Sequence, residues 1–217
     1  MKKTALRTAP SKEERKLTLS GYVWIFTLVS FIGWCFEKIG RYYVYPPEAD
    51  PIRDRGFLTL PFCAIYGTCV VAVGFLFGSP NYPSRIWKRM FRWAKRVPAP
   101  LRIVGRIFGY FLAVTLVATL VELVAGLIFQ AMGNPLWNYH ERWGNLWGVI
   151  CPSFSLIWGL LGTLLMTVIW KPLCLLIGVI PEKAQNVGAW IMVGTLLSDL
   201  AFNLIYVAVT GHRFYFL

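Results

Sequence analysis

The chain has 217 residues, of which 57% are apolar and only 15% charged, with a formal net charge of +12. Apolar residues gathered into long blocks exclude an ordinary water-soluble fold, because a core of this size cannot bury them without leaving large exposed patches. The charge does not point to nucleic acid: Lys and Arg sit in short segments beside the apolar blocks, as membrane anchors do, and no segment is long enough to form a basic recognition face.

Residues 1–16 read as a basic cytoplasmic tail, and residues 17–217 as one transmembrane helical domain. A helix needs about 20 apolar residues to cross the hydrocarbon core, and five stretches qualify: 17–36, 57–77, 107–130, 146–170 and 187–210. The first follows basic residues, as a signal peptide would. Its apolar part is too long, however, and Gly33-Trp34-Cys35-Phe36-Glu37 is not a small-residue cleavage site, so it is expected to stay. A shorter apolar piece, 172–180, either extends the fourth helix past a proline kink or lies in the interface. The expected fold is all-α, a polytopic membrane bundle of about five transmembrane helices plus a cytoplasmic amphipathic interfacial helix.

That interfacial helix is read from residues 85–97. Ile86, Met90, Trp93 and Val97 recur at helical spacing, and Arg85, Lys88, Arg89, Arg92, Lys95 and Arg96 fall on the opposite arc. The basic arc suits anionic headgroups of the inner leaflet, or a docked cytoplasmic partner. With the N-terminus inside, 16 of the 22 Lys and Arg are cytoplasmic. The positive-inside rule therefore predicts a multi-pass plasma-membrane protein with its N-terminus cytoplasmic and its C-terminus extracytoplasmic.

A carboxylate at mid-bilayer costs at least about 2.5–3.5 kcal/mol, so acids in the spans should face protein, water or a partner. Glu37 is expected to end the first helix on the outer side, and Glu122 to lie in the outer half of the third. Asp199 falls near the middle of the fifth, with Asn203 one turn later; these two read equally as a helix-packing pair. Arg53 and Arg55 in the first outer loop are cations on the glutamates' side. Together these residues predict an outward-facing polar pocket floored by the glutamates and roofed by the outer loops. Each glutamate also has a plain reading, Glu37 reaching to the interface and Glu122 either a neutral acid or an ion pair with Arg55 that fixes helix packing.

The two hairpins carry a weak internal similarity. Glu37 is followed by a loop and Pro61-x-x-x-Ile65-Tyr66-Gly67, and Glu122 by a loop and Pro152-x-x-x-x-Ile157-Trp158-Gly159. Such a parallel repeat would bring both glutamates to one depth. Gly74-x-x-x-Gly78, Gly105-x-x-x-Gly109, Ser155-x-x-x-Gly159 and Gly194-x-x-x-Ser198 permit close helix approach. The five cysteines lie in apolar runs without C-x-x-C spacing and read as buried packing thiols. His140 and His212 are lone loop histidines. No catalytic nucleophile, metal site or cofactor motif is read from the sequence.

At these residues the chain resembles the Putative ABC-transporter type IV family of small bacterial membrane proteins, which has vertebrate relatives. The resemblance rests on Gly33-Trp34-x-x-Glu37, Arg55-Gly56-Phe57 with Pro61 and Ile65-Tyr66-Gly67, and Glu122. It continues through Trp137-x-Tyr139, Asn145-x-x-Gly148-x-Ile150-Cys151 and Trp158-Gly159-x-x-Gly162, covering residues 30–165. Asn138 stands where the family often has an acid, and Leu60-Pro61 where it often has Gly-Pro. The resemblance implies a permease-like transport component. Adding its motif residues to the charged groups gives a pocket set of Glu37, Arg53, Arg55, Tyr66, Glu122, Trp137, Tyr139, Asn145 and Trp158. No G-x-x-x-x-G-K-[ST] occurs, so a pump would need a cytoplasmic ATPase partner or an ion gradient. Five helices are few for a transport path, so a homo-oligomer is expected. The competing classes are an intramembrane enzyme acting on a lipid or lipid-linked substrate, with the carboxylates as acid and base, and a non-catalytic assembly or lipid-binding protein.

Overall fold

A computed structural model describes residues 17–44, 56–92 and 97–214. Its named elements are seven helices: α1 (Leu19–Val44), α2 (Ala64–Leu76), α3 (Arg85–Met90), α4 (Ala99–Ala131), α5 (Pro152–Val168), α6 (Trp170–Val179) and α7 (Glu182–Thr210). Three of them, α1, α4 and α7, are long and apolar enough to cross a membrane; α5 and α6 pass that test together as one pair bent by 49°, and α2 is a shorter apolar helix.

The helices are apolar on their outer faces as well as in the core, unlike those of a soluble protein. Along α4, Tyr110, Val114, Ala118, Glu122 and Gly126 are buried, while Leu112, Leu116, Leu120, Val124 and Ile128 between them are exposed. Steps of four residues keep each set on one face, so Glu122 and the small Ala118 and Gly126 point inward beside Tyr110 and Val114, and a row of large aliphatics points outward, as it would toward lipid. Helices of this length and hydropathy, with aliphatic outer faces, suit a membrane.

Two hairpins form the centre. α1 packs on α2, α4 on α5, and α2 against α4 joins the pairs, while α7 and α6 pack on α1. Close approach depends on glycines: a Cβ on Gly67 would meet Ser30 and Phe26 across α1, and one on Gly159 would meet Thr115 and Phe111 across α4. Gly74 lies under the Trp170 ring and Gly188 against Trp24. The core gathers Ile25, Val29, Val70, Val73, Val114 and Met166 with Tyr110 and Trp170.

The expected spans differ from the helices in three places. α1 continues to Val44, so Glu37 lies within the helix instead of ending it. Residues 57–63 are not helical, and α2 begins at Ala64. Pro61 cannot donate a backbone hydrogen bond, and the Thr59 and Leu60 N–H groups turn to the Asp199 carboxylate (3.3 and 3.0 Å). The fourth stretch starts as a helix only at Pro152 and breaks at Ile169, where α6 sets off at the 49° bend. Pro172 lacks the N–H that would bond Val168, so the break falls one turn before it. Residues 172–179 thus belong to a helix bent from α5, in line with the kinked extension.

α3 is shorter than the predicted 85–97 amphipathic helix. Ser84 caps it by accepting from the Trp87 amide, and it ends at Met90; residues 93–96, with Trp93, Lys95 and Arg96, lie outside the described residues. Trp87 is its anchor, buried against Phe77, Phe91 and Tyr110. Ile86 and Met90 are exposed, as are Arg85, Lys88, Arg89 and Arg92.

A methyl-bearing residue at Gly74 must displace the Trp170 ring, whose nearest atom is 2.2 Å from the Cβ position. Gly74→Val should therefore destabilise the bundle by about 1–3 kcal/mol, the usual cost of overpacking, read as a lower thermal midpoint in detergent. Gly194, with open space around it, should accept valine within about 0.5 kcal/mol.

Candidate functional site

The two helices α1 and α4 each carry a glutamate in their C-terminal half, Glu37 and Glu122. Glu122 is 4% exposed. Its Oε1 accepts from the Tyr139 hydroxyl at 2.9 Å and from the Trp158 indole N–H at 3.3 Å, and its Oε2 is buried without a hydrogen-bond partner. Glu37 is half-buried and accepts from the Tyr66 hydroxyl at 2.5 Å. The Tyr66 and Trp158 rings meet edge to face, centroids 5.7 Å apart. Five expected residues thus form one contiguous unit in the order Glu37, Tyr66, Trp158, Glu122, Tyr139.

Local sequence explains how each donor is aimed. Tyr66 stands one turn into α2, whose start is fixed by the Cys63 N–H bonded to the Ser30 carbonyl at 2.9 Å. Trp158 is carried by α5 next to Gly159, which lets that helix close on α4. Tyr139 belongs to the α4–α5 loop: its N–H bonds the Gly148 carbonyl at 2.7 Å, and its ring stacks on Phe154 with centroids 4.7 Å apart. Burial first, and then the Glu122 carboxylate, raise the Tyr139 phenol above its ordinary range, so it remains a donor through neutral pH.

Asn145 organises that loop instead of lining a pocket. Its amide donates to the His140 and Arg142 carbonyls, and its Oδ1 accepts from the Gly148 N–H at 3.1 Å. Gly148 has φ +70°, and a side chain there would run into the His140 ring. Trp147 beside it also sits in the left-handed region, at φ 55°, an uncommon place for a bulky residue. The Trp137 indole donates to the Val149 carbonyl at 2.7 Å and borders a small cavity of about 70 Å³ with Gln130 and His140. Trp137 and Asn145 therefore support the loop that delivers Tyr139.

Asp199 and Asn203 lie apart from the glutamates. Asn203 is buried, and its amide donates to Thr59 Oγ1 (2.9 Å) and Asp199 Oδ1 (3.1 Å). Arg213, just past α7, donates to the Gly56 carbonyl at 3.1 Å. Irregular backbone at membrane depth needs its polar groups met by protein; α7 supplies them to Thr59 and Leu60, and Arg213 beyond it to Gly56. The pair is a clasp for the segment leading into α2 and Tyr66, wider than a helix-packing pair. Arg53 and Arg55 lie outside the described residues.

One residue of the site was missed. Cys69, read from the sequence as a packing thiol, is half-buried near Glu122. The signal was available: Cys69 follows Tyr66 by three residues, which places both on one face of α2.

Asp199→Leu strips the acceptor from two backbone N–H groups and should cost about 1–3 kcal/mol for each left unmet, lowering the thermal midpoint. Asp199→Asn keeps one acceptor oxygen and should retain more of it.

A family profile described as Putative ABC-transporter type IV matches residues 24–204. Among curated proteins and among solved structures, none matches the chain.

Proposed function

Because the chain belongs to the Putative ABC-transporter type IV family, we propose that it is a permease-like component of a membrane transport system, with its polar site opening to the extracytoplasmic side. The observation that carries this reading is the joined unit of Glu37 and Glu122, reached from two hairpins through Tyr66 and Trp158. A bilayer-spanning bundle kept only for stability has little reason to retain a buried carboxylate with one oxygen unmet, given its cost in lipid. A permeation path does, because it must hold polar cargo or a coupling ion part-way across.

The rest of the arrangement follows from this reading. Residues 17–217 act as one transmembrane domain with five crossings, the α5–α6 pair making the fourth and the non-helical 57–63 segment with α2 the second. The N-terminus is cytoplasmic. The exposed basic residues Arg85, Lys88, Arg89 and Arg92 rest on anionic headgroups of the inner leaflet, Trp87 pinning α3 to the bundle. Energy comes from a separate ATPase subunit or from an ion gradient. The open face at Gly194 and Ser198 supports a second copy of the chain.

Uptake of a panel of radiolabelled solutes by deletion cells, complemented with wild type or with Glu122→Gln at equal expression, tests the reading. The deletion should lose uptake of at least one solute class, and Glu122→Gln should restore it about tenfold less well, a cost of about 1.4 kcal/mol. Unchanged uptake across the panel in the deletion would speak for a structural or assembly role.

A further inference from the structure

The two central hairpins match one another in detail beyond the short motifs of the sequence. In each, the aromatic residue ahead of the glycine donates to its own hairpin's glutamate: Tyr66 to Glu37, Trp158 to Glu122. In each, the following glycine packs on the residues seven and eleven positions before that glutamate, Ser30 and Phe26 in the first hairpin, Thr115 and Phe111 in the second. The buried rows leading to the glutamates share a register: Ile25, Val29 and Gly33 in α1, Tyr110, Val114 and Ala118 in α4. The two glutamates lie seven and nine residues before the ends of their helices, about 10 and 14 Å at 1.5 Å per residue. The rings that join the halves, Tyr66 and Trp158, occupy equivalent places.

The halves differ where it matters chemically. Glu37 is half-buried, but Glu122 is almost wholly enclosed, and its Oε2 meets no donor among the described residues. Its two hydrogen-bond partners, Tyr139 and Trp158, are neutral and both address Oε1. An ionised carboxylate with one oxygen bare in a dry interior is costly, whereas a proton on that oxygen removes the charge. The titratable groups facing the unit are Tyr66 and Cys69 from α2 with Cys63 ahead of it, Tyr139 and Cys151 from the loop, and Glu37 from α1. The α5 side chain in contact, Trp158, does not titrate.

We propose that the hairpins are a duplicated pair whose glutamates are two half-sites of one proton-binding unit, with Glu122 holding a proton on Oε2. Binding forms one O–H bond and takes the carboxylate from −1 to neutral; release of the proton to water reverses both. The proton is then the coupling ion of the transport reading above, and that purpose rests on it. The protonation itself does not.

Infrared difference spectroscopy of the purified full-length protein at neutral pH, wild type minus Glu122→Gln, reads the state directly and needs no substrate. The carbonyl stretch of a protonated carboxylic acid, shifting in heavy water, is expected. Carboxylate stretches in its place overturn the proposal while leaving the uptake result intact. Should Glu122→Gln not fold, Tyr139→Phe serves: losing the hydrogen bond to Oε1 should raise the acid carbonyl frequency, and an unmoved band counts against the proposal.

Discussion

A buried carboxylate in a membrane has few ways to exist, and the central packing of this chain is arranged around one of them. Glu122 sits on the inward face of α4, in line with residues that let α5 and α2 come close. Satisfying its Oε1 requires a tyrosine from a loop and a tryptophan from the next helix. That requirement shapes the α4–α5 loop, where Asn145 and Gly148 fix the turn that delivers Tyr139, and it sets how near α5 must lie, which Gly159 permits. The first hairpin repeats the scheme with Glu37, Tyr66 and Gly67, and the two aromatic donors meet at the seam.

The second constraint is irregular backbone. Residues 57–63 lead into α2 without helical hydrogen bonds of their own, and α7 answers with Asp199 and Asn203 from its middle. A helix that packs mainly on α1 thereby reaches the segment that sets where Tyr66 points. The charges of α7 are in this sense part of the site's support, although they touch neither glutamate.

Much of this was legible in the residues. The cost of acids in apolar runs singled out Glu37, Glu122 and Asp199, and the Ile-aromatic-Gly similarity named Tyr66 and Trp158 as counterparts. Hydropathy could not place the ends of helices, because an apolar residue satisfies lipid whether its backbone is helical or not. So Phe57 read as the start of a span when the helix waits for Ala64, and Glu37 read as a terminus when α1 runs to Val44. The bend before Pro172 was foreseen as one of two alternatives, since the missing N–H is written in the sequence. The partner of Asp199 was not foreseeable, because it is the backbone of a distant segment and leaves no side-chain signature. The family resemblance seen over residues 30–165 extends in the profile match to 24–204, taking in most of α7.

The claim on which the functional reading stands is that Glu37 and Glu122 act as one unit across the Tyr66–Trp158 contact. A double-mutant cycle with Glu37→Gln, Glu122→Gln and the pair, scored by thermal stability of the purified protein, addresses it directly. Coupled groups should give a double variant departing from the sum of the singles by about 0.5 kcal/mol or more; additivity within about 0.3 kcal/mol would mean two independent acids.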